Sequence, residues 1–368
     1  MAYTTVAKPS LHFTTDIYAG SSSAVSVTGV PFKPDFVITK DRTEAYSWGL
    51  YDSSRGIKRW LQSNQAQSEN NNAGASLVDA SLTSFDTNGF TIATMSSDPI
   101  GNKNGNEYNT HMWKANGGTT SSNSSGSITS TVQANTTAGF SIVTYTGTGS
   151  AATIGHGLGV KPKMIWIKNR SAGDSWTVYF GDTNIVADPE TDYFELNSIS
   201  GTQDATYFND TAPTTSVFSI GTDHRINASS ENYVAYCWAE VQGFSKMGIY
   251  IGNGQATRGN VVYCGFRPRY ILVKRQDGNE AWHNQDVARS IREKDGSAGI
   301  GGNPRKQRLD YSDAAVESST NGTCDFFATG FRFQANDARY NSENVKYLFY
   351  AVAEASIVGT NGTVGLSK

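Results

Sequence analysis

Charged residues and cysteines are scarce in this chain of 368 residues. Lys, Arg, Asp and Glu together make up 17% of it, below the share of about 25% that is usual in soluble domains. The three cysteines, Cys237, Cys264 and Cys324, are an odd number in a long chain. This argues against a disulfide framework and predicts buried thiols in a protein that folded in a reducing compartment.

Several sequence features of membrane, metal and nucleic-acid proteins are also missing. No apolar run approaches the ~20 residues that span a bilayer, and no basic stretch followed by an apolar one predicts a secretory signal. The five histidines lack metal-ligand spacing and no Cys-x-x-Cys occurs, so we expect neither a metal nor a cofactor. A net charge of −3 indicates that neither nucleic acid nor an anionic membrane is the partner.

Glycine, aromatic residues and small polar residues are abundant instead. The chain has 37 glycines and 11% aromatic residues, with many Ser, Thr and Asn, and few of the residues that favour helices. This composition is typical of an all-β protein with many turns.

One pattern of residues occurs three times. It begins with Tyr-x-Gly and continues with a Pro, a Lys six residues later and a Trp eight residues after that. The three copies are Tyr18/Gly20, Pro34, Lys40 and Trp48; Tyr145/Gly147, Pro162, Lys168 and Trp176; and Tyr250/Gly252, Pro268, Lys274 and Trp282. The constant spacing indicates that one folding unit is present in three copies.

Each copy continues with matching apolar segments. A late strand is predicted at residues 90–92, 217–220 and 331–333, and a closing strand begins near Tyr108, Tyr233 and Tyr347. The sequence therefore predicts an all-β fold of three tandem β-sandwich domains, each similar to a jelly roll.

The predicted domain boundaries follow the repeat. We expect an N-terminal arm at residues 1–10, sandwiches at 11–114, 139–241 and 242–355, and a C-terminal tail at 356–368. Residues 115–138 are rich in Gly, Ser and Thr, a composition typical of a flexible linker.

The recurring residues have predicted structural roles. The apolar run after each Pro, such as residues 164–167, reads as a strand of a sandwich core. The Lys that follows is expected where the strand reaches water. The Trp is expected to begin the next strand of a hairpin and to anchor the small core of its own sandwich.

An Asp and an Arg three residues apart follow the Trp in two copies, as Asp52/Arg55 and Asp286/Arg289; the second copy has Thr183 at the position of the Arg. Such a pair is a possible site, but a structural ion pair that fixes a loop is the preferred interpretation.

Other candidate chemistry is weaker. The acid pairs Asp188/Glu190 and Glu280/Asp286 are the closest loop candidates for glycoside hydrolysis, which needs two carboxylates at a defined separation. The oxygen-rich loops at residues 101–107 and 277–280 lack the ligand order of a calcium-binding loop, and ordinary turn chemistry explains them.

Two aromatic residues, Trp60 and Tyr207, lie outside the repeated pattern. Flat rings in loops suit glycan or protein recognition, although packing in a core or an interface is the preferred interpretation. From the residues alone we predict no catalytic, cofactor-binding or metal site.

Several segments resemble a family of virion proteins from marine phages, including phages of cyanobacteria. The segments that carry the resemblance, over nearly the whole chain, are residues 1–5, 32–38, 51–56, 61–64, 81–85, 89–90, 159–162 and 165–170. The resemblance implies a structural protein without catalytic residues, made in the cytoplasm of the bacterial host and located in the virion.

The resemblance, taken with the repeat, predicts an elongated virion component. Our first hypothesis is a tail fibre or host-attachment appendage that assembles with itself, as a trimer, and with other virion proteins, and that contacts a host glycan or protein. A capsid decoration protein is the alternative, and a polysaccharide-degrading tail spike is a third.

Overall fold

The computed structural model describes residues 4–70, 81–94, 99–289, 307–308 and 323–355. Antiparallel strands and turns dominate these residues, and their helical segments are three short ones at Pro9–Leu11, Thr206–Phe208 and His224–Asn227. The all-β prediction is confirmed.

The first group of strands forms two sheets. In chain order the strands are β1 (Phe13–Ala19), β2 (Val25–Val27), β3 (Phe36–Asp41), β4 (Gly49–Asp52), β5 (Leu82–Asp86), β6 (Gly89–Ile92) and β7 (Glu107–Trp113). The main sheet has the order β1-β7-β3-β4 and the smaller sheet the order β2-β6-β5.

The second group has the largest sheet. Its strands are β8 (Ser121–Asn123), β9 (Ser130–Asn135), β10 (Phe140–Thr146), β11 (Ala152–Gly155), β12 (Met164–Asn169), β13 (Thr177–Phe180), β14 (Asp192–Glu195), β15 (Gln203–Asp204), β16 (Val217–Ile220) and β17 (Asn232–Trp238). The main sheet runs β15-β14-β13-β12-β17-β10-β9-β8, and β11 pairs with β16.

The third group repeats the plan. Its strands are β18 (Ser245–Ile251), β19 (Val262–Tyr263), β20 (Pro268–Arg275), β21 (His283–Asp286), β22 (Gln307–Arg308), β23 (Thr323–Phe327), β24 (Gly330–Gln334) and β25 (Lys346–Ala353). The main sheet runs β18-β25-β20-β21-β22 and the smaller one β19-β24-β23. The orders β1-β7-β3-β4, β10-β17-β12-β13 and β18-β25-β20-β21 therefore correspond strand for strand.

Each smaller sheet shares a local hydrophobic cluster with the main sheet of its own group. In the first group, Val37 and Met112 of the main sheet meet Val27 and Phe90 of the smaller one. The second and third groups have equivalent clusters around Phe218 and Phe331.

The opposite faces of the three main sheets meet in one common core. Successive residues of a strand point to opposite faces, so Trp166 lies in the common core whereas Ile165 lies in the local cluster. Strands β3, β12 and β20 are buried on both faces, which is why they are continuous apolar runs rather than alternating ones.

Trp238 shows how closely the groups are joined. Its ring lies 6.4 Å from Phe36 and 6.3 Å from Trp113 of the first group, 4.8 Å from Trp166 of its own group, and 6.1 Å from Tyr350 of the third, between centroids. The first and third groups also meet directly, with Phe13 and Tyr270 5.6 Å apart. The sequence predicts units in series along an elongated component; instead, each group contacts both of the others around a shared core.

The predicted arm and linker take part in this arrangement. Val6 of the arm is buried in the common core. The segment 115–138 contributes β8 and β9 to the second main sheet, where Val132 is opposite Val143 of β10. The composition predicts a flexible linker for this segment. It does not distinguish a linker from an exposed edge strand, because Ser and Thr are typical of both.

The repeated Tyr-x-Gly has a common packing reason. Tyr18, Tyr145 and Tyr250 stack on the tyrosines of their closing strands at 5.1–5.3 Å. A Cβ added to Gly20, Gly147 or Gly252 would lie only 2.0–2.3 Å from a backbone oxygen. Only glycine allows so close an approach of the backbone.

The shared core predicts that no single group folds alone. A fragment of residues 1–114 would expose Phe36, Ile38, Trp48 and Trp113, all buried in the whole chain. We expect this fragment to aggregate or to bind a hydrophobic dye, because one face of its main sheet has lost its cover. A fragment that unfolds cooperatively with native-like dispersion in its NMR spectrum would contradict this prediction.

Candidate functional site

The three repeated lysines lie inside the protein, and two of them bond to another strand group. Lys40, Lys168 and Lys274 are all fully buried, so the prediction that they mark the emergence of a strand into water is wrong. Lys168 Nζ donates to the carbonyl of Ala66 in the first group at 3.1 Å. Lys274 Nζ donates to Ile199 O of the second group at 2.7 Å.

Each lysine also fixes the loop that follows its own strand. Lys40 Nζ donates to Tyr46 O at 2.6 Å, and Lys168 Nζ donates to Asn169 O at 2.8 Å and Ala172 O at 3.4 Å. Burial lowers the pKa of Lys168 to about 7, but its three carbonyl partners match the three N–H bonds of the ammonium form. The repeated lysine is therefore a structural joint.

The repeated tryptophans also take part in the contacts between strand groups. Trp48, Trp176 and Trp282 each precede a hairpin strand directly, as predicted, but they lie in the common core and not in the small core of one sandwich. Trp176 Nε1 donates to Gln62 O of the first group at 2.9 Å, and Trp282 Nε1 donates to Glu195 O of the second at 2.8 Å.

Replacing Lys168 by methionine should therefore destabilise the protein. We expect the free energy of unfolding to fall by about 2–3 kcal/mol, because buried carbonyls lose a charged donor. Lys161→Met is the matched control: Lys161 is exposed, and its loss should cost no more than ~0.5 kcal/mol. Equal effects of the two substitutions in urea-induced unfolding would contradict the role given to Lys168.

The two predicted Asp–Arg ion pairs are confirmed. Asp52 pairs with Arg55 and Asp286 with Arg289, and all four side chains are buried. Each carboxylate also accepts a hydrogen bond from another strand group, which sequence reasoning missed. Tyr236 Oη donates to Asp52 at 2.6 Å, and His111 Nε2 lies 3.1 Å from Asp286 Oδ2.

The strand register relates these contacts. Tyr236 and His111 occupy equivalent positions in the closing strands, opposite Trp166 and Ile38. The second group has the apolar Phe180 at the position of the two aspartates. Aligning the closing strands would have placed Tyr236 and His111 at one position, but only the common core shows what they meet.

Electrostatics keeps Asp286 charged in this buried place. Burial alone would raise the pKa of Asp286, but the charge of Arg289 and the hydrogen bond from His111 hold it well below its ordinary value. Burial lowers the pKa of His111, so the ring is neutral at pH 7 and donates its Nε2 proton to the carboxylate. The arrangement holds two strand groups together and leaves no oxygen of Asp286 exposed to a substrate.

The weaker candidates lie in ordinary structural settings. Asp188 is exposed and Glu190 is half-buried, whereas Asp286 of the pair Glu280/Asp286 belongs to the buried network. Asp277 of the second oxygen-rich loop pairs with Arg275. Within the residues that the structure describes, no group of three or more His, Cys, Asp and Glu could hold a metal ion.

The unassigned aromatic residues and the cysteines are buried. Trp60 lies in the first local cluster and Tyr207 lies in the second, so the prediction that they pack in a core is confirmed. Cys237, Cys264 and Cys324 are buried free thiols, and burial raises the pKa of Cys237 and of Cys264 to about 12.

One surface cleft lies beside strands β18 and β19. Its volume is about 310 Å³, and Ser245, Lys246, Tyr263 and Cys264 line it together with residues 240, 242, 243 and 265. Ile251, Val261 and Tyr263, on or next to these two strands, are among the few large apolar side chains exposed in the described part of the protein. This edge is the candidate binding surface of the molecule.

The fold and the contacts between its strand groups define an all-β protein whose antiparallel sheets surround a common core. No helix in the described ranges has the length and apolar character to cross a bilayer. The chain belongs to the family described as Domain of unknown function (DUF7483), whose model matches residues 8–356. That single match spans all three strand groups, in keeping with their shared core. Comparison with curated proteins finds no match.

Proposed function

We propose that the protein is a non-catalytic structural protein of a bacteriophage virion, and that its chain consists of three copies of one β-sandwich unit. The main support is the role of the repeated residues. The repeated lysines and tryptophans are buried in all three copies. Two of the lysines and two of the tryptophans donate hydrogen bonds to another strand group. A repeat whose residues hold the strand groups together favours a structural role over a catalytic one.

Within the virion, we propose a place in a tail fibre or host-attachment appendage. Its partners would be other virion proteins, further copies of the chain in a trimer, and a glycan or protein of the host surface. The phage resemblance of segments such as residues 32–38 and 165–170 supports this proposal.

A capsid decoration protein is the second candidate. The observation that favours it is the common core. Three units packed around one core suit a compact decoration protein better than an elongated fibre. Copy number separates the two proposals. A few copies per particle, measured on stained gels of purified virions, would support the appendage, and hundreds would support the decoration.

Two further measurements test the wider proposal. Antibody-labelled electron micrographs should place the protein on phage particles, and its absence from purified particles would refute the virion assignment. Incubation of the protein with host polysaccharide should release no reducing ends; their release would refute the non-catalytic role and favour a tail spike. Light scattering should give three times the chain mass of 39.7 kDa if the trimer proposal is correct.

A further inference from the structure

Among the residues that the structure describes, none bonds to the outer edge of β18 at Ile249. Met247 N–H donates to Glu240 Oε1 at 2.7 Å and Met247 O accepts from Lys163 Nζ at 2.9 Å, while Ile251 O accepts from Asn260 at 2.9 Å. These partners show that residues 247 and 251 direct their backbone groups away from β25. Ile249 lies between them and points the same way, and no other residue in the described ranges bonds to its N–H or C=O.

The two equivalent positions in the other groups differ from Ile249. Thr144, the counterpart of Ile249 in β10, is covered by Thr131 of β9. Ile17, the counterpart in β1, donates its N–H to the carboxylate of Asp16 at 2.8 Å. A charge placed in an edge strand discourages the addition of a further strand. At the position of Asp16 the third group has Gly248, which offers no such protection.

The second group shows what kind of segment covers this edge. β9 pairs with β10 of the main sheet, and Ile128 just before it donates its N–H to Thr153 O, next to β11 residue Ile154, at 3.1 Å. Residues 121–135 contain no charged side chain, and the side chain of Ile128 packs against the local cluster. An extended, uncharged segment with a branched apolar residue thus bridges the two sheets.

The third group has an apolar surface where that bridge would lie. Ile154 and Val262 face equivalent phenylalanines, Phe218 and Phe331, so Val261 corresponds to Thr153 and Tyr263 to Gly155. Val261 is 58% exposed and Tyr263 is 67% exposed, beside the cleft of about 310 Å³. A segment that covers the edge of the third group would bury the side chains of Val261 and Tyr263. The second group has no equivalent apolar side chains there.

We propose that β18 and β19 form a binding site for an extended, uncharged segment of another protein. The segment adds as a strand to β18, bonds to the backbone of Ile249 and places a branched apolar side chain over Val261 and Tyr263. This mode of recognition takes its affinity from main-chain hydrogen bonds and its specificity from alternate side chains. The proposal rests on the edge itself and holds whether or not the protein belongs to a virion.

The probe is a synthetic peptide with the sequence of residues 127–135, added to the full chain at about 1 mM. Hydrogen exchange at the Ile249 amide should be fast in the free protein and at least about tenfold slower with the peptide. Fusing the same sequence after Lys368 through a flexible Gly-Ser linker holds it at a millimolar effective concentration, so that a weak site is still detected.

Two substitutions at exposed positions locate the site without endangering the fold. Val261→Lys and Tyr263→Asp should abolish the protection of Ile249, whereas Val160→Lys, at an apolar residue that is 46% exposed in the second group, should leave it unchanged. Absence of protection in both the peptide and the fusion experiment would overturn the proposal, and so would equal protection in Val261→Lys.

Other occupants of the edge give different results. An Ile249 amide that is already protected in the dilute free protein would mean that the chain covers its own edge. Self-association that rises with concentration in sedimentation experiments and disappears in Val261→Lys would mean that the occupant is a second copy. Either result would overturn the proposal of a foreign segment.

Discussion

Replacing Trp238 by alanine should lower the free energy of unfolding by about 3–5 kcal/mol, the usual cost of removing a large aromatic side chain from a core. The ring touches aromatic residues of all three strand groups. Its loss therefore weakens the common core itself. Hydrogen exchange should accelerate in β7 and β25 as well as in β17.

The matched control is Phe218→Ala, which opens a cavity of similar chemistry in the second local cluster. This variant should also be destabilised, but its local openings should be confined to the second group. If the accelerated exchange of Trp238→Ala were also confined to that group, the three groups would be energetically independent. The interpretation of the common core as the element that joins them would then be wrong.

Replacing Asp286 by alanine should cost about 3–5 kcal/mol, because it leaves the guanidinium of Arg289 buried without its partner. The second strand group suggests the rescue, since it has Phe180 and Thr183 at the positions of Asp286 and Arg289. The double variant Asp286→Phe with Arg289→Thr should therefore recover to within about 1–2 kcal/mol of the original protein. Urea-induced unfolding of the two variants measures both effects.

The same network predicts a pH dependence. The pKa of Asp286 is depressed in the folded state, so its contribution to stability is present above the unfolded-state pKa of about 4 and is lost as the pH falls below it. The double variant should lack this part of the acid sensitivity. As a control, Asp325→Ala breaks the partly exposed pair with Arg332 and should cost no more than ~1 kcal/mol. Equal losses in Asp286→Ala and Asp325→Ala would contradict the buried network.

The local structure could be predicted from the sequence because it depends on local patterns. The late strands predicted at residues 90–92, 217–220 and 331–333 lie within β6, β16 and β24, and the closing strands begin one residue before Tyr108, Tyr233 and Tyr347. Period-two alternation and turn residues act over a few positions, so three imperfect copies reinforce one another.

The mutual arrangement of the copies could not be predicted in the same way. A continuous apolar run such as residues 164–167 is compatible both with a strand in a small sandwich and with a strand between two cores. The sequence predicts that the lysine after it lies in water, because lysines are almost never fully buried unless paired. Its partner in another strand group is the carbonyl of Ala66, which lies 102 positions away in the sequence and has no side-chain signature.

The candidate binding edge was missed for a related reason. Ile251, Val261 and Tyr263 resemble core residues in the sequence, and only the structure shows them exposed. The comparison of Asp16, Val143 and Gly248 was available from the repeat, since each lies two positions before the repeated tyrosine. The difference bears on strand addition only when the strand order is known, because that order shows β1, β10 and β18 as outer neighbours of the closing strands.

Covalent linkage of three similar units has a consequence for how this molecule can vary. In an assembly of three identical chains, any substitution appears three times and preserves the symmetry. Here each copy is encoded separately, so one joint has a buried ion pair where another has Phe180 and Thr183, and one sheet has a covering strand that the others lack. The binding site proposed at β18 and β19 would therefore occur once per molecule, whereas an assembly of three identical chains would have three such sites.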